Sequence, residues 1–241
     1  PGISGSFVMK AYERSIGSIG LTYEAAKADG YDAEKAITIQ SDRAHFFPNQ
    51  QAMPLMMVFD KSTRKVLGLQ GFGAMGDNVL ARIDAAAGLL AKGATIEDFS
   101  NLEMAYAPPF STAVDALNAT ANVADNLARG RLRNVRIEAF IEWIETPASH
   151  PDWITIDLRG DRESASLCSQ FGERWVSIPY PEMRKRHEEL PQDKELILVC
   201  GAGTRSYEVQ VLLDSLGKKN TLVLPGGTMV LKRLGVIDTP D

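Results

Sequence analysis

The residue with the clearest capacity for chemistry is Cys200, which ends the apolar run ILVC and precedes the segment GAGTR. The apolar run predicts a buried strand, and the glycines after it predict a turn that leads into a helix. A helix N-terminus carries a partial positive charge and Arg205 adds a full one, so both favour the nucleophilic thiolate. Cys200 is therefore predicted to lie at the floor of a small anion-binding loop, residues 201–205.

Two reactions use a cysteine in such a loop, and the loop length separates them. One cleaves phosphate esters through a phosphocysteine and usually needs a longer loop, whereas the other transfers sulfur through a cysteine persulfide. Four residues separate Cys200 from Arg205, namely Gly201, Ala202, Gly203 and Thr204. This short loop favours sulfur transfer. A buried structural thiol is the alternative interpretation, because cysteine is among the most frequently buried residue types.

The composition bounds the class of protein. The 241 residues are 44% hydrophobic and 24% charged with a formal charge of −5, which predicts globular folding in one or two domains. The chain has no long basic stripe and no apolar run near the roughly 20 residues that span a bilayer, so neither nucleic acid nor membrane is an expected partner. No spacing of His, Cys and Asp is typical of a zinc site.

The second half of the chain has two cysteines, Cys168 and Cys200, which do not form a disulfide framework and so favour a reducing, cytoplasmic setting. Cys168 is predicted to be a packing residue on a helix. Strand-like segments (WITIDLR, ERWVSIPY, ELILVC, TLVLPGG) alternate there with helix-like ones (IEAFIEWIE, PEMRKRHEEL, RSYEVQVLLDSLG, MVLKRLG). This alternation predicts an α/β domain with a parallel sheet, and it places Cys200 at the edge where ligands gather.

The first half has a different pattern. PLMMVFD and KVLGLQGFG flank the polar turn KSTRK, which predicts an antiparallel hairpin. Thr22 is a predicted helix N-cap, and two longer helices are predicted over NVLARIDAAAGLLAKG and STAVDALNATANVADNLARG. We therefore predict an α+β domain with an antiparallel sheet over residues 1–130, a linker over 131–135 and the α/β domain over 136–241.

The α/β half resembles a rhodanese-type sulfurtransferase domain over about residues 133–241. The resemblance rests on IDLRGDRE (156–163), ELPQDKELILVCGAGTRSYEV and LPGG. It implies that Cys200 forms the persulfide and that residues 201–205 bind the sulfur substrate. Asp157 and Arg159 match the Asp-x-Arg of that family and are assigned to the same substrate-binding region, with Arg159 as a brace of the loop.

The α+β half resembles the dimerisation domain of the pyridine nucleotide–disulfide oxidoreductases over about residues 7–129. The matching segments are VFDKSTRKVLGLQGFG, RID at 82–84 and TIEDFSNLEMAYAPPFSTAVDALNATANVADNL. The nearest branch contains coenzyme A-disulfide reductases and NADH oxidases, and some members carry a fused rhodanese domain and reduce CoA disulfides, persulfides or polysulfides. The resemblance implies a homodimer through residues 1–130, in which Tyr106 orients substrate or donates a proton near the partner's flavin.

The same resemblance implies FAD and NAD(P)H for a full-length enzyme, with neither cofactor bound by this chain. GFGAMG (71–76) is not interpreted as a dinucleotide site, because it follows a hairpin strand. The chain begins without Met and is expected to be the C-terminal portion of a longer flavoprotein, trimmed or processed. Phe46 and Phe47 stand where the CoA-reductase branch often has tyrosines.

The sequence therefore predicts an enzyme: the sulfurtransferase module of a flavin-dependent disulfide or persulfide reductase. Its expected partners are small sulfur donors and acceptors, such as persulfides, thiosulfate, CoA or glutathione thiols. Two alternatives stay open. The chain could be a non-catalytic dimerisation or binding module, or, with less support, a cysteine-based phosphatase or arsenate reductase.

Overall fold

The computed structural model describes residues 4–238, except for the side chain of Asp77. It divides into two compact units, with the boundary between Arg129 and Gly130. Within the described residues, no helix is long and apolar enough to cross a membrane.

The N-terminal unit contains a five-stranded antiparallel sheet with the strand order β1-β2-β5-β4-β3. Its strands are β1 (Phe7–Ala11), β2 (Arg14–Gly20), β3 (Ala33–Ser41), β4 (Ala52–Asp60) and β5 (Val66–Ala74). Its helices are α1 (Tyr23–Ala28), α2 (Asp77–Leu90), α3 (Ile96–Ser100) and α4 (Ala116–Ala128). The predicted hairpin is present as β4 and β5, and Thr22 caps α1 by accepting a hydrogen bond from the Ala25 N–H.

The core of this unit lies between the sheet and the two longest helices. Val79, Ile83 and Ala86 of α2 are buried, as the helical spacing of apolar residues predicts. Small residues let α4 approach the sheet closely, and Ala121 and Ala124 are fully buried against it. The packing therefore follows from the amphipathic pattern of both helices.

A buried ion pair connects the two long helices. Asp115 is the N-cap of α4 and accepts a hydrogen bond from the Leu117 N–H at 2.9 Å. The same carboxylate binds the guanidinium of Arg82, which projects from α2 and also donates to the Asn78 carbonyl. Both side chains are almost entirely buried. One carboxylate thus begins a helix and neutralises a buried cation.

A second carboxylate, Asp60, holds the turn between β4 and β5. Asp60 accepts hydrogen bonds from the Ser62 N–H at 2.9 Å, the Ser62 hydroxyl at 2.7 Å and the Thr63 hydroxyl at 2.8 Å. Burial opposes ionisation of this group, but the hydrogen bonds from Ser62 and Thr63 outweigh it and hold the pKa of Asp60 below its ordinary value.

We expect Asp60→Asn to lower the free energy of unfolding at neutral pH. A lowered pKa contributes stability above the ordinary carboxyl pKa of about 3.9, and this stability is lost as pH falls through the folded-state value. In urea unfolding followed by far-UV circular dichroism, parent and variant should therefore differ at neutral pH and converge in strong acid. Asp32→Asn is the control, because its pair with Lys61 is exposed. A difference that persists in strong acid would contradict the assignment.

The C-terminal unit contains a four-stranded parallel sheet with the order β7-β6-β8-β9. Its strands are β6 (Trp153–Asp157), β7 (Trp175–Ser177), β8 (Glu195–Val199) and β9 (Thr221–Val223). Its helices are α5 (Ile137–Glu145), α6 (Asp161–Phe171), α7 (Met183–Arg186), α8 (Thr204–Ser215) and α9 (Gly227–Arg233). The predicted fold class, an antiparallel α+β domain followed by a parallel α/β domain, is confirmed.

Two predicted elements of this unit are shorter than the sequence indicates. β7 has only three residues, because a 3₁₀ turn at Gly172–Arg174 precedes it and Pro179 follows it. The segment PEMRKRHEEL was predicted as one helix, but only Met183–Arg186 is α-helical and 3₁₀ turns flank it. Pro181 lies in the first of these turns. It has no backbone N–H to donate, which favours a short turn over a continuous series of helical hydrogen bonds.

Residues 131–135, predicted as a linker, belong instead to the C-terminal unit. The guanidinium of Arg133 binds the Asp214 carboxylate at 2.7 and 2.9 Å. The Val135 N–H donates to the Val223 carbonyl at 3.0 Å, and the Val223 N–H donates to the Arg133 carbonyl at 2.8 Å. The segment therefore runs beside β9. Its basic, sparsely apolar sequence was typical of a linker, but its backbone hydrogen bonds place it in the fold.

Candidate active site

β8 delivers Cys200 to the carboxyl edge of the parallel sheet. β8 lies between β6 and β9, and its last residue, Val199, pairs with Asp157 at the end of β6. Cys200 follows directly and is 2% exposed. The sulfur therefore lies at the position where the sequence predicted it, at the base of the loop that follows the strand.

The loop after Cys200 curls so that the backbone amide of Gly203 faces the sulfur. The Gly203 N–H donates to Cys200 Sγ at 3.2 Å. Gly203 has φ +100°, a left-handed conformation that side chains other than hydrogen disfavour, and it is the N-cap of α8. The first amides of a helix have no intrahelical carbonyl partner and carry partial positive charge. The N-terminus of α8 thus supplies donors beside Cys200.

The N-terminus of α9 holds the carbonyl groups of the same loop. The Thr228 N–H donates to the Cys200 carbonyl at 2.8 Å, and the Met229 N–H donates to the Gly201 carbonyl at 3.0 Å. Gly227 makes this approach possible, because a Cβ there would lie 2.1 Å from the Cys200 carbonyl oxygen. The carbonyl oxygens of Cys200 and Gly201 are thus satisfied by the first turn of α9.

Arg205 gives the site its positive charge. Its guanidinium lies beside the loop, with Nη2 3.9 Å from where a Cβ of Gly201 would stand. Arg205 forms no ion pair with any residue in the described part of the chain. Nearby, the Tyr180 hydroxyl hydrogen-bonds the Glu208 carboxylate of α8, which raises the pKa of Tyr180 above its ordinary value. The sequence analysis did not single out Tyr180 or Glu208, and no local spacing connects them because they lie 28 residues apart in the chain.

Asp157, the last residue of β6, and Arg159 form a buried ion pair, which we call the brace. The Asp157 carboxylate accepts bonds from the Arg159 N–H at 3.0 Å, from its guanidinium at 2.7 and 3.0 Å, and from Trp175 Nε1 at 2.9 Å. Asp157 is fully buried and Arg159 is 4% exposed. This burial suits the bracing role that the resemblance implies for Arg159, and the assignment of both residues to the substrate-binding region stays a prediction. Sequence reasoning missed Trp175 as the third member.

We expect Arg159→Gln to lower the stability of the C-terminal unit by about 3–5 kcal/mol, because it leaves the Asp157 charge buried without a cation. Trp175 donates to the same carboxylate, so tryptophan fluorescence reports the change directly. Arg133→Gln is the matched control in the same unit, since the pair of Arg133 with Asp214 is partly exposed and should cost less. Equal losses for the two variants would contradict the brace.

Cys168 lies on α6 and is partly buried. Burial raises its pKa, and the nearby negative charge of Asp157 raises it further. These surroundings hold Cys168 as a neutral thiol, in agreement with its predicted packing role. The helix-terminal donors that surround Cys200 have no counterpart here, since Cys168 is in the interior of its helix.

Tyr106 lies in the N-terminal unit, on the segment between α3 and α4, and is 50% exposed. The Ala44 N–H donates to the Pro108 carbonyl at 3.1 Å, which joins this segment to the one that carries Phe46. The sequence treated Tyr106 and Phe46 separately, whereas the structure brings their two segments together. Phe46 and Phe110 are 69% and 71% exposed. Tyr106, Phe46 and Phe110 are therefore exposed aromatic side chains on two neighbouring segments of this unit.

The segment GFGAMG (71–76) does not form a dinucleotide-binding loop. GFGAMG lies at the end of β5, which is antiparallel to both of its neighbours, so no βαβ phosphate site forms there. A Cβ on Gly71 or Gly73 would meet the side chains of Leu55 or Val79, which means that these glycines make room for α2 to pack. Among residues 4–238, no cluster of three His, Cys, Asp or Glu side chains could hold a metal ion.

Comparison with known proteins assigns the N-terminal unit. Residues 9–117 match the family described as pyridine nucleotide-disulphide oxidoreductase, dimerisation domain. The match lies within the antiparallel α+β unit, and a parallel α/β unit follows it. A match to a dimerisation domain supports a homodimer.

One sequence relative matches about half of this chain, and two solved structures match nearly all of it. A NAD(P)H coenzyme A polysulfide/persulfide reductase from Pyrococcus horikoshii is 38% identical over 123 residues, 51% of this chain and 27% of that protein. The structure of a NAD-dependent persulfide reductase from A. fulgidus matches 95% of this chain with a TM-score of 0.82 and 31% identity. The structure of reduced Bacillus anthracis CoADR-RHD matches 95% with a TM-score of 0.82 and 27% identity. This chain spans 39% and 40% of those two chains.

Proposed function

We propose that the chain is the C-terminal portion of an FAD- and NAD(P)H-dependent disulfide or persulfide reductase, and that its rhodanese-like domain carries sulfane sulfur as a persulfide on Cys200. The observation that carries the proposal is the Cys200 loop: a sulfur that accepts the Gly203 N–H at the N-terminus of α8, beside an Arg205 without an ion-pair partner in the described chain. The relatives named as persulfide reductases support the same chemistry.

The proposed step is a nucleophilic displacement at sulfur. The Cys200 thiolate attacks the outer sulfur of a persulfide R–S–SH, the S–S bond of the donor breaks, and the electron pair of that bond leaves with RS⁻. A new S–S bond joins Cys200 to the transferred sulfur, so no net oxidant is consumed. The amide of Gly203 and the charge of Arg205 stabilise negative charge on the terminal sulfur, as donors do in an oxyanion hole.

Release of the sulfur as sulfide needs two electrons, which FAD and NAD(P)H supply in an enzyme that binds them. These cofactors belong to the proposal for the longer reductase. We propose further that the dimerisation domain forms a homodimer through residues 1–130, and that Tyr106 contacts substrate from its exposed segment. The cytoplasmic setting predicted from the two unpaired cysteines also stays a proposal.

The test is to incubate the chain with a glutathione persulfide, or separately with thiosulfate, and to measure its intact mass. We expect the parent to gain the mass of one sulfur atom and Cys200→Ser to gain none, because Cys200 is the residue that forms the new S–S bond. Peptide mass spectrometry should place the sulfur on Cys200. Cys168→Ser is the matched control and should take up sulfur like the parent.

Two outcomes would contradict the proposal. Sulfur uptake that survives in Cys200→Ser would move the reaction to Cys168 or to a non-specific site. No uptake from either donor by a correctly folded parent would favour the non-catalytic binding module. Turnover of an aryl phosphate ester, lost in Cys200→Ser, would instead support the phosphatase alternative.

A further inference from the structure

A cleft of about 410 Å³ opens on the C-terminal unit at the edge of the sheet opposite Cys200. We call it the Trp153 cleft. It lies where β6 and β8 begin, whereas Cys200 follows the end of β8, so at about 3.3 Å per strand residue roughly 20 Å separate them. The side chains used below come from α5, the turn after it, the start of β6, the 3₁₀ turn before β7 and the residue before β8. They are Trp143, His150, Trp153, Glu173, Arg174 and Lys194.

Flat side chains form one wall of the Trp153 cleft. The imidazole of His150 stacks on the indole of Trp153, with ring centroids 3.8 Å apart and planes 9° from parallel. Trp143 lies 6.0 Å from Trp153, and the guanidinium of Arg174 lies over Trp143 at 5.4 Å. Trp143 and Trp153 are only 2% and 9% exposed, so the partly buried imidazole of His150, backed by Trp153, offers the surface on which another aromatic ring gains stacking energy.

The Trp153 cleft also carries two cations, Arg174 and Lys194, whose contacts are with aromatic rings and backbone carbonyls. Arg174 donates to the Trp143 carbonyl at 3.4 Å, and Lys194 donates to the Pro151 carbonyl at 3.1 Å. Neither forms an ion pair within the described residues, whereas Arg133 and Arg159 of the same unit each bind a carboxylate. Two cations that stay unneutralised beside an aromatic wall favour a ligand that combines an aromatic ring with an anion.

We propose that the Trp153 cleft binds a nucleotide, with the base stacked on the His150–Trp153 wall and a phosphate group bound by Arg174 and Lys194. Glu173, which also lines the cleft, offers an acceptor for the ribose hydroxyls. The volume is that of a small-ligand site, for which about 300–1,000 Å³ is usual. The inference does not depend on sulfur chemistry at Cys200.

The test uses AMP as the probe, with adenosine and inorganic phosphate as the two halves of the ligand. Two of the three tryptophans of the chain line the cleft, so saturable quenching of tryptophan fluorescence reports binding directly. We expect AMP to bind at least about tenfold more tightly than adenosine or phosphate, the effect of adding one charge-assisted hydrogen bond to a stacked ring. Isothermal titration calorimetry supplies an independent affinity.

Arg174→Gln and Lys194→Gln should each weaken AMP binding by about tenfold and leave adenosine binding nearly unchanged. Lys185→Gln is the matched control, because Lys185 is an exposed cation that does not line the cleft. Cys200→Ser should bind AMP like the parent, so failure of the persulfide chemistry and failure of this site are distinguishable. Circular dichroism checks that each variant is folded.

Three results would overturn the proposal. One is the absence of saturable AMP binding at millimolar concentration. The second is equal affinity for AMP and adenosine, which would make the cleft an apolar site without use for its cations. The third is AMP binding that Lys194→Gln and Lys185→Gln weaken equally, which would show a non-specific effect of net charge.

Discussion

Replacement of Gly227 by alanine should abolish sulfur uptake at Cys200 although the thiol itself is untouched. A Cβ on residue 227 would lie 2.1 Å from the Cys200 carbonyl oxygen and 2.7 Å from that of Gly201. Both atoms are backbone, so the overlap cannot be relieved by turning a side chain. The residue also has φ +56°, a left-handed conformation. The loop or the start of α9 must therefore move, and the hydrogen bonds from Thr228 and Met229 are lost.

The expected cost has two sources. A left-handed backbone at a residue other than glycine costs roughly 1–3 kcal/mol, and forcing atoms into a packed site costs a similar amount, about 1–3 kcal/mol. Unfolding followed by tryptophan fluorescence measures the loss, because all three tryptophans lie in the C-terminal unit. Intact mass after treatment with a persulfide measures sulfur uptake.

Gly217→Ala is the matched control for Gly227→Ala. Gly217 has φ +81°, but an added Cβ there would meet no atom within 4 Å. This control therefore carries the backbone strain without the overlap, and it should lose some stability and keep sulfur uptake. Normal uptake in Gly227→Ala would mean that the contact between α9 and the loop does not shape the reactive site.

Asp115→Ala should be the most destabilising single change in the N-terminal unit. The substitution leaves the Arg82 guanidinium buried without its counter-charge, which costs about 3–5 kcal/mol. It also removes the N-cap of α4, for which roughly 1 kcal/mol is typical. Urea unfolding followed by far-UV circular dichroism should show this loss of unfolding free energy. Parent and variant are compared at the same protein concentration, because the stability of a dimer depends on concentration.

Two further variants separate the contributions at Asp115. Thr22→Ala removes only a cap, since Thr22 caps α1 without binding a cation, and should cost about 1 kcal/mol. Arg82→Met combined with Asp115→Leu removes both charges and should recover most of the loss, because no buried charge is left alone. A double variant as unstable as Asp115→Ala would show that the cap or the local packing, and not the ion pair, dominates.

Much of this architecture was predictable from local pattern. The hairpin of β4 and β5, the cap at Thr22 and the buried face of α2 follow from turn residues, capping chemistry and apolar spacing, all of which act within a few residues of one another. The same holds for the position of Cys200 at the end of β8. The segment 131–135 was not predictable in this way, because its partners in β9 and α8 lie about eighty residues away.

Residues 200–205 alone supply the chemical features of the site in the C-terminal unit. They provide a nucleophile in Cys200, a tight turn and a cation in Arg205. What surrounds that run depends on segments distant in sequence. Gly227 and the first amides of α9 orient the loop carbonyls, Trp175 completes the brace on Asp157, and Trp143, Trp153 and Lys194 meet in a cleft at the opposite edge. Such contacts depend on how strands are ordered and which helices cover them. Residue types and spacing in the sequence therefore identify the reactive cysteine and its loop. The order of the strands and the packing of the helices decide which distant residues surround them.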